Sequence, residues 1–125
     1  LPDYGDVTPP GTVVNRDISM YQGDDFSMKF QFGFDLSNYT PAGQVRLYSN
    51  SDYAQVGPVL LGTFSFSKFS YNNNLLVDSL IISLPGTVTA NLPYTSYYDV
   101  QMTAPDGTIK TYLTGKVFTE KQVTK

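Results

Sequence analysis

The chain has 125 residues, a formal charge of −3, and neither cysteine nor histidine. Those absences exclude disulfides, thiolate or histidine metal sites, and every nucleophile that depends on a Ser–His or Cys–His pair. The negative balance gives no electrostatic reason to meet nucleic acid or an anionic membrane, and no apolar run approaches the about 18 residues of a transmembrane helix.

The length suits one domain. Glutamate occurs once and alanine is scarce, while Tyr, Phe, Thr, Val and Ser dominate beside ten Gly and eight Pro. That mixture suits many strands joined by tight turns. Tryptophan is missing, which argues against a sugar-stacking lectin, although ten tyrosines offer a substitute. The chain starts at Leu1, as expected of a segment processed or cut from something longer, and shows no basic-then-apolar signal sequence.

Residues 1–17 hold three prolines, two glycines and no sustained alternation. Pro9-Pro10 favours an extended conformation, so this stretch is expected to be an extended N-terminal arm and not a core strand. It is either a disordered terminus or an arm laid across a neighbouring subunit, burying Tyr4, Val13 and Val14. Residues 18–125 are expected to form the folded domain.

Residues 18–22 alternate and predict a short first strand. Gln22-Gly23-Asp24-Asp25 then breaks it with corner chemistry. Residues 26–34 carry the clearest signal in the chain: Phe26, Met28, Phe30, Phe32 and Phe34 alternate with small or polar residues, so all five point to one face of a strand. Burying them is worth about 1.5–3 kcal/mol each, and ordering the backbone costs about 1–2 kcal/mol per residue. The strand therefore needs a second apolar layer over it.

A polar loop is expected over 35–41, then a strand over 44–49 with Val45 and Leu47 inward and Arg46 and Tyr48 outward. Residues 50–58 read as a loop. Over 59–71 the aromatic parity changes, since Phe64 and Phe66 share one face while Phe69 and Tyr71 take the other; this predicts a bulge or bend near Ser67-Lys68. Asn72-Asn73-Asn74 is a turn signal leading into a strand over 75–84, with Leu80, Ile82 and Leu84 on one face. Residues 87–91 suggest one helical turn across an end of the domain. Residues 96–103 place Tyr98, Val100 and Met102 together. Ala104-Pro105-Asp106-Gly107-Thr108 is a hairpin turn, and its partner strand runs over 109–119, where Gly115 marks a close approach or a bulge. About seven strands without a helix of any length make an antiparallel, immunoglobulin-like β-sandwich, with a small closed barrel as the alternative.

Candidate chemistry is sparse. Asp24-Asp25 is an adjacent carboxylate pair, but acid–base work or calcium binding needs further oxygen ligands at set spacing; a turn with one Asp bonded to backbone amides is the simpler expectation. Asp99 is expected to pair across the sheet with Arg46, Lys29 or Lys110. The tyrosines are expected either to pack ordinary sheet faces and corners or to form a recognition surface, where Tyr gives large contact area at low entropic cost. Tyr48 and Tyr112, nominally outward on their strands, are the candidate interface residues among them. No catalytic residue, metal ligand or cofactor site is assigned.

Several segments, in order, resemble a known family. They are Gln22-Gly23-Asp24-Asp25-Phe26, Val45-Arg46-Leu47-Tyr48, Tyr98-Asp99-Val100-Gln101-Met102, Asp106-Gly107-Thr108, Gly115-Lys116-Val117 and Val123-Thr124. This series is similar to the small β-sandwich domains of tailed-bacteriophage virion proteins, found in tail, baseplate and fibre-attachment components, including N-terminal domains of upper baseplate proteins. Asp25 stands where that family usually has Thr or Ser. The resemblance implies a structural virion protein, assembled in the host cytoplasm, that docks on other virion proteins, forms a homo-oligomer and performs no catalysis. A carbohydrate-binding or adhesin-like module with a host-surface glycan as partner is the alternative.

Overall fold

The computed structural model describes residues 3–7, 13–47, 59–70 and 77–121, with the backbone alone for 3–7. The phenylalanine-rich stretch is a strand over Phe26–Phe32, and its Phe26, Met28, Phe30 and Phe32 all turn into the core. Ten strands and one helical turn are described. They are β1 (Asp3–Val7), β2 (Val14–Asn15), β3 (Ile18–Tyr21), β4 (Phe26–Phe32), β5 (Thr40–Arg46), β6 (Leu60–Thr63), β7 (Ser65–Phe69), β8 (Ser79–Leu84), α1 (Gly86–Thr89), β9 (Thr95–Thr103) and β10 (Ile109–Glu120).

Two sheets face each other. One runs β1-β4-β8-β7 and the other runs β10-β9-β5-β6, with β2 and β3 both added along the outer edge of β10. Read in chain order, β1-β4-β8-β7 takes the places of strands A, B, E and D of an immunoglobulin sandwich, and β10-β9-β5-β6 those of G, F, C and C′. The central pairings are antiparallel, as expected. The N-terminal strands depart from this: β1 lies parallel to β4, and β2 and β3 lie parallel to β10.

Between the sheets lies one apolar cluster. Met28, Phe30, Phe32, Leu80, Ile82 and Leu84 come from the smaller sheet, and Ile18, Val45, Tyr98, Val100, Met102, Leu113 and Val117 from the larger. The second layer required by the amphipathic β4 is thus supplied by β9 and β10, whose own alternation turns the same way.

Four sequence expectations are corrected. Within the stretch read as an arm, Asp3–Val7 and Val14–Asn15 are edge strands of this chain's own two sheets. The loop expected over 35–41 ends early, because β5 already begins at Thr40, and Leu36 within it is fully buried. The break in the 59–71 run falls at Phe64, not at Ser67-Lys68. There the chain leaves β6 in the larger sheet and enters β7 in the smaller, with Phe64 buried between them and its N–H bonded to the Gly43 carbonyl at 3.0 Å. Finally, a β-bulge between Thr111 and Leu113 turns both Tyr112 and Leu113 inward. Strict period-two counting puts Tyr112 outside; the extra residue puts it inside, edge-on to Phe32 with ring centroids 6.0 Å apart.

The turns form by the expected chemistry. Gly107 has a φ of 91°, and Asp106 Oδ1 accepts the Thr108 N–H at 3.0 Å. The corner at residues 22–25 is clamped to α1: Gly86 N–H donates to Asp25 Oδ1 at 2.7 Å, Gly23 N–H donates to Thr89 Oγ1 at 3.1 Å, and that hydroxyl donates to the Asp24 carbonyl at 2.8 Å. The Asp24-Asp25 pair therefore serves a turn, with Asp25 bonded to a backbone amide.

Candidate docking face

The outer surface of the larger sheet carries chemistry that its alternation dictates. On β9 the residues facing away from the core are Thr95, Tyr97, Asp99, Gln101 and Thr103. On β10 beyond the bulge they are Thr114, Lys116, Phe118 and Glu120. Register then sets the neighbours. Tyr97 lies opposite Arg46 on one side and opposite Lys116 on the other. Arg46 reaches diagonally to Asp99, Nη2 to Oδ2 at 2.6 Å, with both side chains largely covered at 14% and 13% exposure. Charged partners this sheltered fix geometry more than they add stability.

The N-terminal edge of this sheet is held by three polar contacts. Arg16 N–H donates to the Thr114 carbonyl at 2.8 Å, and Tyr98 Oη donates to the Arg16 carbonyl at 2.5 Å. Asp17 Oδ1 accepts the Lys116 N–H at 3.0 Å, filling a ladder position where the chain passes from β2 to β3. Gly115 makes this possible. A Cβ at that position would collide with the Arg16 carbonyl oxygen, so the close approach expected of Gly115 is found there.

Further along the same face lies an aromatic patch. Tyr94 is 63% exposed and Tyr21 is 50% exposed. Tyr94 packs on the half-buried Phe118 with ring centroids 6.0 Å apart, and Tyr21 and Phe118 line a shared shallow depression with Ser19 and Glu120.

Of the residues expected at an interface, Val13 is exposed and Val14 packs against the core. Tyr112 is buried, a correction that removes it from the surface of this chain. Tyr4 lies in β1, where only the backbone is described, and Tyr48 lies outside the described residues. Among the other tyrosines, Tyr39 joins Phe34 in an aromatic cluster with Tyr112, while Tyr53 and Tyr71 lie outside the described residues. Phe118, Tyr21 and Lys116 escaped the sequence reading. Alternation was the signal for them: Lys116 and Phe118 flank the buried Val117 on β10, and Tyr21 follows the buried Met20 on β3.

No protein-family model matches the chain, and no curated protein matches it. Among the described residues, no group of three or more acidic side chains is placed to hold a metal ion, and no helix is long and apolar enough to cross a membrane. Two exposed carboxylates stand below their ordinary range: Asp35 through bonds from the Ser37 hydroxyl and amide, and Asp106 through the Thr108 amide. Both are turn-formers, and their shifts follow from hydrogen bonds to the charged form.

Proposed function

We propose that this chain is a structural component of a tailed-phage virion, in a tail, baseplate or fibre-attachment assembly, and that it works by docking on other proteins. The observation that carries this reading is the aromatic patch of Tyr21, Tyr94 and Phe118 on the outer face of the larger sheet. Exposed aromatics grouped beside charged residues have the composition of a contact surface. The ordered motifs support the same reading. Gln22-Gly23-Asp24-Asp25-Phe26 is the corner clamped to α1, Tyr98-Asp99-Val100 runs along the centre of the larger sheet, and Gly115-Lys116-Val117 seats its N-terminal edge. Gly23, Asp25, Tyr98 and Gly115 among the motif residues each make a position-specific contact, as an assembly module of fixed shape needs.

Light scattering of the purified chain, alone and mixed with purified tail proteins, tests the reading. A symmetric homo-oligomer or a defined complex is expected, with Tyr94→Ser and Phe118→Ser together abolishing it. A chain that stays strictly monomeric and joins none of the tail proteins overturns it.

A further inference from the structure

Beside the aromatic patch, but separate from it, the larger sheet holds a cleft of about 340 Å³. Its working groups are Asn15, Asp17, Arg46, Tyr97, Thr114 and Lys116. The volume falls at the small end of ligand sites, which run from about 300 to 1,000 Å³. It comes from the strand break: where β2 gives way to β3 the edge steps at Arg16-Asp17, and the gap is walled by Asn15 and Asp17 on one side and by Arg46 across the sheet.

The charges around it balance. Arg46 is engaged by Asp99 at 2.6 Å, and Lys116 stands beside Asp17, whose Oδ1 is fixed by the Lys116 amide at 3.0 Å. Two cations facing two carboxylates give a net anion or a net cation no Coulombic advantage at this range. What the cleft favours is a neutral ligand with many groups that both donate and accept. Asp17 accepts, Asn15 and Lys116 donate, the Thr114 hydroxyl does both, and the half-buried Tyr97 ring supplies an apolar face next to them. A pyranose has that combination: a rim of hydroxyls and one face of C–H groups that lies against an aromatic ring.

We propose that this cleft binds one neutral saccharide unit, stacked on Tyr97 and hydrogen-bonded by Asp17, Asn15 and Lys116. The proposal stands apart from the protein-docking reading, since neither Tyr97 nor Asp17 belongs to the Tyr21–Tyr94–Phe118 patch.

The test is an NMR titration of the isotope-labelled full chain with glucose, galactose and N-acetylglucosamine, with inorganic phosphate and glucuronate as charged probes. A single sugar unit held by one ring and a few hydrogen bonds is expected to bind with a Kd of about 1 mM, shifting the amides of Tyr97, Thr114 and Lys116. Tyr97→Ala should weaken binding about tenfold, and Tyr97→Phe should retain it. Lys116→Met keeps the backbone amide that Asp17 uses and should weaken binding about threefold, so it carries the test if Tyr97→Ala fails to fold. Absence of shifts from every sugar at about ten times that concentration overturns the proposal. Binding of phosphate or glucuronate alone, indifferent to Tyr97, also overturns it and reassigns the cleft to anions.

Discussion

In the smaller sheet, β4 and β8 meet as Phe26 against Leu84, Met28 against Ile82 and Phe30 against Leu80 on the inside, and as Ser27 against Ser83 on the outside, where the two hydroxyls share a hydrogen bond of 2.9 Å. β4 and β8 obey their alternation, the outer face sets Lys29 opposite the half-buried Ile81, and polar bonds from Gln31 to Asp78 and from Gly86 to Asp25 hold the ends. The larger sheet has the same kind of interior but adds polar contacts that reach between distant parts of the chain, from Tyr98 to Arg16, from Asp17 to Lys116 and from Arg46 to Asp99. Its outer face bears aromatics and the cleft. The smaller sheet rests mainly on apolar packing between strands; the larger adds directional bonds that tie its N-terminal edge and its outer face in place.

If that contrast is right, the two sheets fail differently. Phe30→Ala removes a fully buried ring from the apolar sheet and should lower unfolding free energy by about 3–5 kcal/mol in urea titrations, while leaving sugar titration at Tyr97 unchanged in the surviving folded fraction. Gly115→Ala sets a methyl against the Arg16 carbonyl and should cost about 3 kcal/mol. Unlike Phe30→Ala, it should also speed amide exchange specifically at Arg16 and Lys116. Tyr98→Phe keeps the buried ring and deletes only the hydroxyl bond to Arg16; a loss of about 1–2 kcal/mol is expected by the same denaturation assay. A loss indistinguishable from zero would mean that apolar packing holds the larger sheet as well.

The smallest effect concerns the hairpin between β9 and β10. Asp106 is held below its ordinary value of 3.8 by the Thr108 amide. A depressed folded value means that its contribution is complete above the unfolded pKa and disappears as pH falls through the folded one. Carboxyl-detected NMR should place its midpoint below that of an unstructured aspartate, and Asp106→Asn should remove this residue's share of the acid sensitivity.

Much of the sandwich could be read from residues. Phe26, Met28, Phe30 and Phe32, the 80-82-84 face and the 98-100-102 face each obey a period of two without interruption, so burial followed directly. Asp106-Gly107 announced its turn through backbone chemistry confined to a few residues. What escaped had non-local causes. β1 and β2 carry no alternation strong enough to see; partners on β4 and β10, far along the chain, make them strands. Phe64 looks like any strand aromatic until two sheets stand on either side of it. Tyr112 was placed outside because a bulge one residue long reverses every parity argument upstream of it. The cleft was illegible for a similar reason: Asn15, Arg46, Tyr97 and Lys116 are scattered through the sequence and meet only through register.

The pairing of β10 with β2 and β3 has a consequence for how the protein is made. Lys116 and Asp17 are 99 positions apart, and the bond between them joins the step from β2 to β3 to the last described strand. During synthesis β1 can pair with β4, β4 with β8 and β5 with β9, but β2 and β3 have no strand to lie against until β10 arrives. Loops of that span close late and make for slow folders. Chains stopped before residue 113 should therefore expose the Ile18–Met20 apolar edge and fall to proteases or aggregation.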